Sequence, residues 1–382
     1  MAHSRNLKKL QKIFPILMIG VIGVNLVFQI VILREKYFIF DYWQKFPSLE
    51  KRFLDSQYVN KHPIWIRDEV AFSYSGGKLI TGTSPVLVVP DAPPLGKYLI
   101  GLSTILFNND SIVILISAVL SLILLYFLGM QIFANKTLAL IAPLAFSFER
   151  IFTNQLVYTP LLDIIQLVFF LSAFIVFNKG LLSKKSFLYF LIANVFLGLF
   201  ISTKFFVSGI TIIASWYLVL LFHKDVKKLI ALTLTFPSSV AVLLLSYSWV
   251  FAFGYTLNKF LGIQKWVFLY HKSFLILPFS VWPLLLFNRW YVWFGDKPVI
   301  ADGQWSVSWP IVTILSFATT ILYLLKKIPK NNAVEVLMCW VVVYMLFLST
   351  GQTFSRYFVI LIPILYIITV YGITSLFKHT RK

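Results

Sequence analysis

Apolar positions in this chain come in long blocks separated by short basic or polar stretches. Ten blocks read as membrane spans: residues 13–33, 111–131, 137–150, 161–177, 187–203, 206–222, 230–251, 309–325, 333–349 and 357–377. A helix rises about 1.5 Å per residue and the hydrocarbon layer is about 30 Å thick, so roughly 20 mainly apolar residues are required. The third block is short by that measure. The pattern predicts an all-α integral membrane protein, a multi-span helical bundle forming one membrane domain over residues 1–382.

Two stretches interrupt the pattern. Residues 34–110 are too polar to span. Within them Pro93-Pro94 sets an extended entry, and 95–107 reads as a short apolar helix near the membrane interface, with Lys97 in its first turn. Residues 252–308 hold an aromatic run from Trp282 to Trp293. Their most apolar part, 274–287, contains Pro278 and Pro283 and has polar flanks, so it is expected at the interface, where Trp and Tyr concentrate, rather than across the bilayer.

Composition agrees. The 382 residues are 59% hydrophobic and 13% charged, against roughly 45–50% and about 25% in soluble domains. The net charge of +20 first suggests nucleic acid, but no basic, aromatic-interleaved soluble surface exists to carry it, and no nucleic-acid partner is expected. The basic residues flank spans instead. With the N-terminus inside, Arg5, Lys8, Lys9 and Lys12, then Lys179, Lys184 and Lys185, then Lys326, Lys327 and Lys330 all fall on the inner side. The positive-inside rule then predicts a multi-pass protein of the cell membrane with both termini cytoplasmic and the two loops, 34–110 and 252–308, outside. The first block follows a basic start but is longer than a signal-peptide core of ~7–15 residues and lacks a small-x-small cleavage site, so a retained anchor is expected. Cys339 is the single cysteine, which excludes an internal disulfide. Five histidines and one cysteine give no metal-ligand spacing. No cofactor is expected, with a divalent metal left open.

The first loop holds a carboxylate pair, Asp68-Glu69. Neighbours on a helix do not share a face, so one can enter a cavity while the other makes structural hydrogen bonds; a solvated surface pair is the bland alternative. Lys97 beside a helix N-terminus suits a phosphate oxygen, or snorkels to the interface. Asp163 and Lys204 sit in apolar segments, where ionisable groups are expensive and mark function unless they cap span ends.

Trp65-Ile66-Arg67-Asp68-Glu69, then Tyr74, Gly77 and Gly82, then Pro93-Pro94-Leu95-Gly96-Lys97 resembles the first outer loop of protein O-mannosyltransferase-like enzymes of the GT-C class, which use polyprenyl-phosphate sugars. Weaker echoes follow in order: Leu161-Leu162-Asp163, Gly198 to Lys204, Tyr270-His271-Lys272-Ser273 with Trp282-Pro283, and Arg356-Tyr357-Phe358 leading to Pro363. The resemblance implies a GT-C-type bundle with outer-face interfacial helices. It implies inverting transfer of a sugar, mannose or another hexose, from a polyprenyl-phosphate donor to a hydroxyl acceptor on protein Ser/Thr or a glycolipid. A phosphate leaving group needs one base and cationic support, not the two carboxylates of a glycosidase. Asp68 is the expected base, with Glu69 beside it. Lys97, Lys204 and Arg356 are expected to hold the donor phosphate, and Asp163, His271, Ser273 and Trp282 to position donor or acceptor. The chain departs from the family pattern in places. Its approach to Asp68 is long, which leaves Asp55 as an alternative base, and Asp91-Ala92 replaces the usual His before Pro-Pro. A lipid or solute transporter is the competing reading; such proteins often show internal repeats, and none is evident here.

Overall fold

The structure, a computed structural model, describes residues 2–56, 66–204, 207–273, 277–292 and 298–379. Helix α1 (Ala2–Ile32) leads through a π-helical turn at Glu35–Ile39 into the first polar stretch, which folds as α2 (Tyr42–Ser56), α3 (Asp68–Ile80) and α4 (Pro94–Phe107). The bundle continues with α5 (Ile112–Phe133), α6 (Lys136–Ser147), α7 (Arg150–Val157), α8 (Asp163–Leu182), α9 (Ser186–Thr203) and α10 (Val207–Phe222). Next come α11 (Val226–Thr235), α12 (Pro237–Ser246) and α13 (Ser248–Ala252), then α14 (Leu257–Ser273) and α15 (Val281–Phe287) in the second polar stretch. A two-residue antiparallel pairing, Trp290–Tyr291 with Val299–Ile300, precedes α16 (Ser308–Leu324), α17 (Asn332–Leu348), a 3₁₀ turn at Ser355–Val359 and α18 (Ile362–His379).

Each apolar block read from the sequence falls on one helix or on a run of consecutive helices. Among the described residues, five helical stretches are long and apolar enough to cross a membrane: Ile13–Ile32, Ile112–Phe133, Asp163–Leu182, Ser186–Thr203 and Val226–Ser246. The last is α11 and α12 joined at Phe236, where Pro237 lacks an amide hydrogen and starts the second helix. The block expected over 137–150 ends earlier, at Ser147, because Glu149 and Arg150 open the separate helix α7. Residues 281–287 form one short buried helix; Val281, Leu284 and Leu285 are fully enclosed while Phe287 is exposed.

Helix α8 is the centre of the bundle, buried on nearly every side. Its aromatic residues stack across to α10 and α17: Phe177 on Trp216 with centroids 4.4 Å apart, Phe170 on Trp340 at 4.5 Å. Offset or tilted ring pairs of this kind add about 0.5–1.5 kcal/mol beyond their buried area. The bundle's rim carries the opposite pattern. Ile16, Val24, Phe127, Leu234 and Leu245 are among many large apolar side chains left exposed, as helices facing hydrocarbon require.

The first polar stretch is held to the bundle by buried hydrogen bonds. Asp110, just before α5, accepts from Ser73 Oγ at 2.5 Å and Ser111 Oγ at 2.9 Å, while Tyr42 Oη donates to the Ser73 carbonyl at 2.7 Å. Burial raises the Asp110 carboxyl above its ordinary value, against the pull of those hydroxyls. Helices α3 and α4 pack with almost no space between their backbones: a Cβ on Gly101 would lie 2.4 Å from the Gly76 carbonyl oxygen. This clamp fixes the direction of α3, and with it Asp68 at its first turn.

Candidate active site

Helices α8 and α9 are joined by the short turn 183–185, so they run antiparallel and the start of one meets the end of the other. That puts Asp163, the first residue of α8, beside Lys204, which caps α9 in extended conformation. Lys204 Nζ donates to Asp163 Oδ1, forming an ion pair between residues 41 apart in sequence. Both are buried, and Asp163 Oδ2 has no hydrogen-bond partner among the described residues. A buried carboxylate oxygen without a donor is costly, so this atom is poised to accept from something that enters.

The second pair comes from opposite parts of the chain. Asp68 begins α3, where the helix dipole favours a negative charge. Arg356, in the 3₁₀ turn before α18, donates to its Oδ2 across 288 residues. The arginine is set from three sides. Tyr344 Oη, on α17, donates to the Tyr357 carbonyl at 3.0 Å; the Phe354 ring lies under the guanidinium at 5.2 Å; and α7 packs against the turn.

Both pairs open onto one cavity of about 350 Å³, whose lining includes Asp68, Asp91, Asp163, Gln166, Lys204, Lys272, Gln352 and Arg356. Its apolar side is formed by Val267, Phe268, Tyr344, Phe347 and Leu348. Three carboxylates and three cations in one largely apolar cavity suit a ligand that joins a phosphate to a hydroxyl-rich group.

The structure brings four of the sequence-predicted residues together here: Asp68, Asp163, Lys204 and Arg356. Others lie elsewhere. Glu69 sits 3.7 Å from Arg67 at the start of α3, and Asp55 is on α2; neither lines the cavity. Trp282 lies behind it, donating from Nε1 to Ser349 Oγ at 3.1 Å. It thus braces the loop after α17, whose Thr350, Gly351, Gln352 and Phe354 do line the cavity. The side chains of His271 and Ser273 lie outside the described part of the structure.

Lys97 departs most from expectation. It is fully buried, and its ammonium donates to the carbonyls of Val88 at 3.3 Å, Val89 at 2.8 Å and Ala92 at 2.9 Å. Its three protons are therefore occupied by backbone, and it is not among the residues lining the cavity. Burial pulls its pKa down to about 8, with Asp91 pulling the other way. The Pro-Pro-Leu-Gly-Lys segment acts instead as a joint. Lys97 holds the loop that presents Asp91, and Gly96 lets α4 approach the ion pair: a Cβ there would lie 2.7 Å from Leu162 and 3.0 Å from Thr203. Lys97→Met should therefore act on folding more than on donor recognition. Each carbonyl left without a donor costs about 1–3 kcal/mol. The variant is expected to melt several degrees lower, while the protein that stays folded keeps a donor KM within about twofold of wild type.

Gln166, Asp91, Gln352 and Lys272 were not singled out from the sequence as site residues. Gln166 had a readable signal: it is a polar residue one turn after Asp163 inside an apolar helix. Asp91 had a weaker one, as the residue that departs from the family pattern before Pro-Pro. Among the described residues no group of three or more His, Cys, Asp and Glu is placed to hold a metal ion.

Residues 91–252 match the family model of dolichyl-phosphate-mannose-protein mannosyltransferase. This segment holds Asp91, Asp163 and Lys204 but stops short of Asp68 and Arg356. No curated protein matches the chain by sequence. Among solved structures, ArnT from Cupriavidus metallidurans bound to undecaprenyl phosphate superposes with a TM-score of 0.59 at 15% identity, over 88% of this chain and 61% of that one. The archaeal oligosaccharyltransferase AglB from Archaeoglobus fulgidus, in complex with an inhibitory peptide and a dolichol-phosphate, gives 0.54 at 13% identity, over 95% and 50%. The chain thus spans between half and about three fifths of the length of these relatives. It has the membrane fold of the GT-C glycosyltransferases, with a stretch at 91–252 that matches the dolichyl-phosphate-mannose-protein mannosyltransferase family.

Proposed function

We propose that the chain is an inverting glycosyltransferase that moves a hexose, mannose being the first to test, from a polyprenyl-phosphate donor to a hydroxyl acceptor at the outer face of the membrane. The observation that carries this reading is the meeting of Asp68–Arg356 and Asp163–Lys204 in one partly apolar cavity. The lipid phosphates bound by both solved neighbours, undecaprenyl phosphate on ArnT and dolichol-phosphate on AglB, support the donor class.

In this mechanism Asp68 removes the acceptor hydroxyl's proton as the oxygen attacks the anomeric carbon, and the carbon–phosphate oxygen bond breaks on the opposite side. The departing phosphate takes the electron pair. Arg356, Lys204 and Lys272 stabilise it; in a cavity poor in water such charges are worth more than in solution. Arg356 exchanges part of its hold on Asp68 for the phosphate, which leaves the carboxylate free to act as base. Asp163 Oδ2, without a partner among the described residues, accepts from a sugar hydroxyl, and Gln166 lies one turn further along the same helix. The acceptor is a protein Ser/Thr or a glycolipid.

A transfer assay tests this. Purified protein is given a panel of polyprenyl-phosphate hexoses with a Ser/Thr-rich peptide or a glycolipid. Release of polyprenyl phosphate with an inverted glycosidic product is expected for one donor. Movement of intact donor or solute across vesicles, with no bond cleaved, would favour the transporter instead. Orientation is checked separately. Cysteines placed at Lys51 and Gly303 should react with an impermeant reagent in intact cells and one at Lys184 should not; the reverse pattern would place the cavity on the inner side.

A further inference from the structure

A second polar pocket lies at the other end of the bundle. Helix α8 runs from Asp163 in the cavity to Lys179 in its last turn, about 24 Å away at 1.5 Å per residue. There the ends of α5 and α8 meet the start of α17 around a pocket of about 440 Å³, lined by Gln131, Asn178, Lys179, Leu182, Lys330 and Asn332 with their neighbours. Its wall is built. Gln131 Nε2 donates to the Ile175 carbonyl at 2.9 Å, Asn178 Nδ2 to Gln131 Oε1 at 3.4 Å, and Asn331 Nδ2 to the Ile132 carbonyl at 3.2 Å.

Three observations say what it takes. Among the described residues no acidic one lines it, while Lys179 and Lys330 both do, so the pocket is positive. Asn178 is 4% exposed, and its Oδ1 has no partner among the described residues, so an acceptor waits for a hydroxyl or amine. Leu182 lies on the rim and is 80% exposed, continuing the apolar outer surface of the bundle. A phosphate, a donor group close to it and an apolar tail together describe one ligand class.

We propose that this pocket binds the headgroup of an anionic glycerophospholipid, its phosphate between Lys179 and Lys330, its headgroup hydroxyl on Asn178 and its acyl chains past Leu182. The site is independent of the sugar-transfer cavity and rests on none of its residues.

The test uses the full-length protein in nanodiscs or detergent, with phosphatidylglycerol titrated against phosphatidylcholine and binding read by native mass spectrometry and thermal stability. Phosphatidylglycerol should bind and raise the melting temperature; phosphatidylcholine should not. A basic residue near an anionic lipid is worth about fivefold in affinity, so the Lys179→Ala/Lys330→Ala protein should bind phosphatidylglycerol roughly 30-fold more weakly. Asn178→Leu should lose the preference for phosphatidylglycerol over phosphatidic acid, which lacks the headgroup hydroxyl. Equal stabilisation by the two phospholipids, or unchanged binding in the double variant, would overturn the proposal. So would equal protection by glycerol phosphate or inorganic phosphate, which would make the site one for a soluble anion.

Discussion

Asp68→Asn is expected to lower the rate of sugar transfer by about 10²–10⁴-fold, the usual cost of losing a general base. The substitution keeps the shape of the side chain. At 43% side-chain exposure the group contributes little to packing, so expression and melting temperature should hardly change. Donor binding should persist, since Arg356, Lys204 and Lys272 remain. Two controls separate base loss from local disturbance. Glu69→Gln, away from the cavity beside Arg67, and Asp55→Asn, on α2, should stay within a fewfold of wild type. Turnover at saturating donor is the measurement. An inactive Asp55→Asn beside an active Asp68→Asn would move the base to Asp55.

Lys204→Met is expected to damage both folding and function. The ammonium is one half of a buried ion pair, and removing it leaves the Asp163 carboxylate among apolar side chains with neither oxygen satisfied. Breaking such a pair typically costs about 3–5 kcal/mol, whereas replacing both members is often close to neutral. The double variant Lys204→Met/Asp163→Leu should therefore regain most of the melting temperature lost in Lys204→Met. Transfer should stay at least about 100-fold down in both, because one contact to the phosphate and one to the sugar are gone together. If the double variant recovered activity along with stability, the pair would be purely structural.

The spans were legible because hydrocarbon imposes a simple rule, a long apolar run for every crossing, and α1, α5, α8 and α9 follow it. Breaks were less legible. Glu149 lies inside a block read as a span, yet it ends up buried, accepting from Ser308 and Tyr366, and from Trp309 Nε1 at 3.2 Å. Its partners lie on α16 and α18, far along the chain, and no local pattern announces them. The same reason divides the candidate site. Asp163 and Lys204 stood out as charges in apolar segments, and the hairpin between them is short enough to foresee their meeting. Asp68 and Arg356 rested on the family resemblance, because their pairing depends on how two segments distant in sequence fold over the bundle. Lys97 shows the limit of motif reading. Its neighbours in sequence suggested a phosphate at a helix N-terminus, but its acceptors are backbone carbonyls of the preceding loop, and only the path of that loop discloses them.

On the proposed function, the lipid-linked sugar reacts in the cavity between α3, α8, α14 and the 3₁₀ turn before α18. A polyprenyl-phosphate sugar carrying a photoactivatable group next to the phosphate tests it most directly. Irradiated with the wild-type protein, it should label cavity residues such as Phe268, Phe347 and Tyr357. Excess unmodified donor should suppress that labelling, and Arg356→Ala should weaken it. Labelling confined to the lysine-rich pocket at the far end of α8, or spread over the lipid-facing surface and insensitive to competitor, would contradict it.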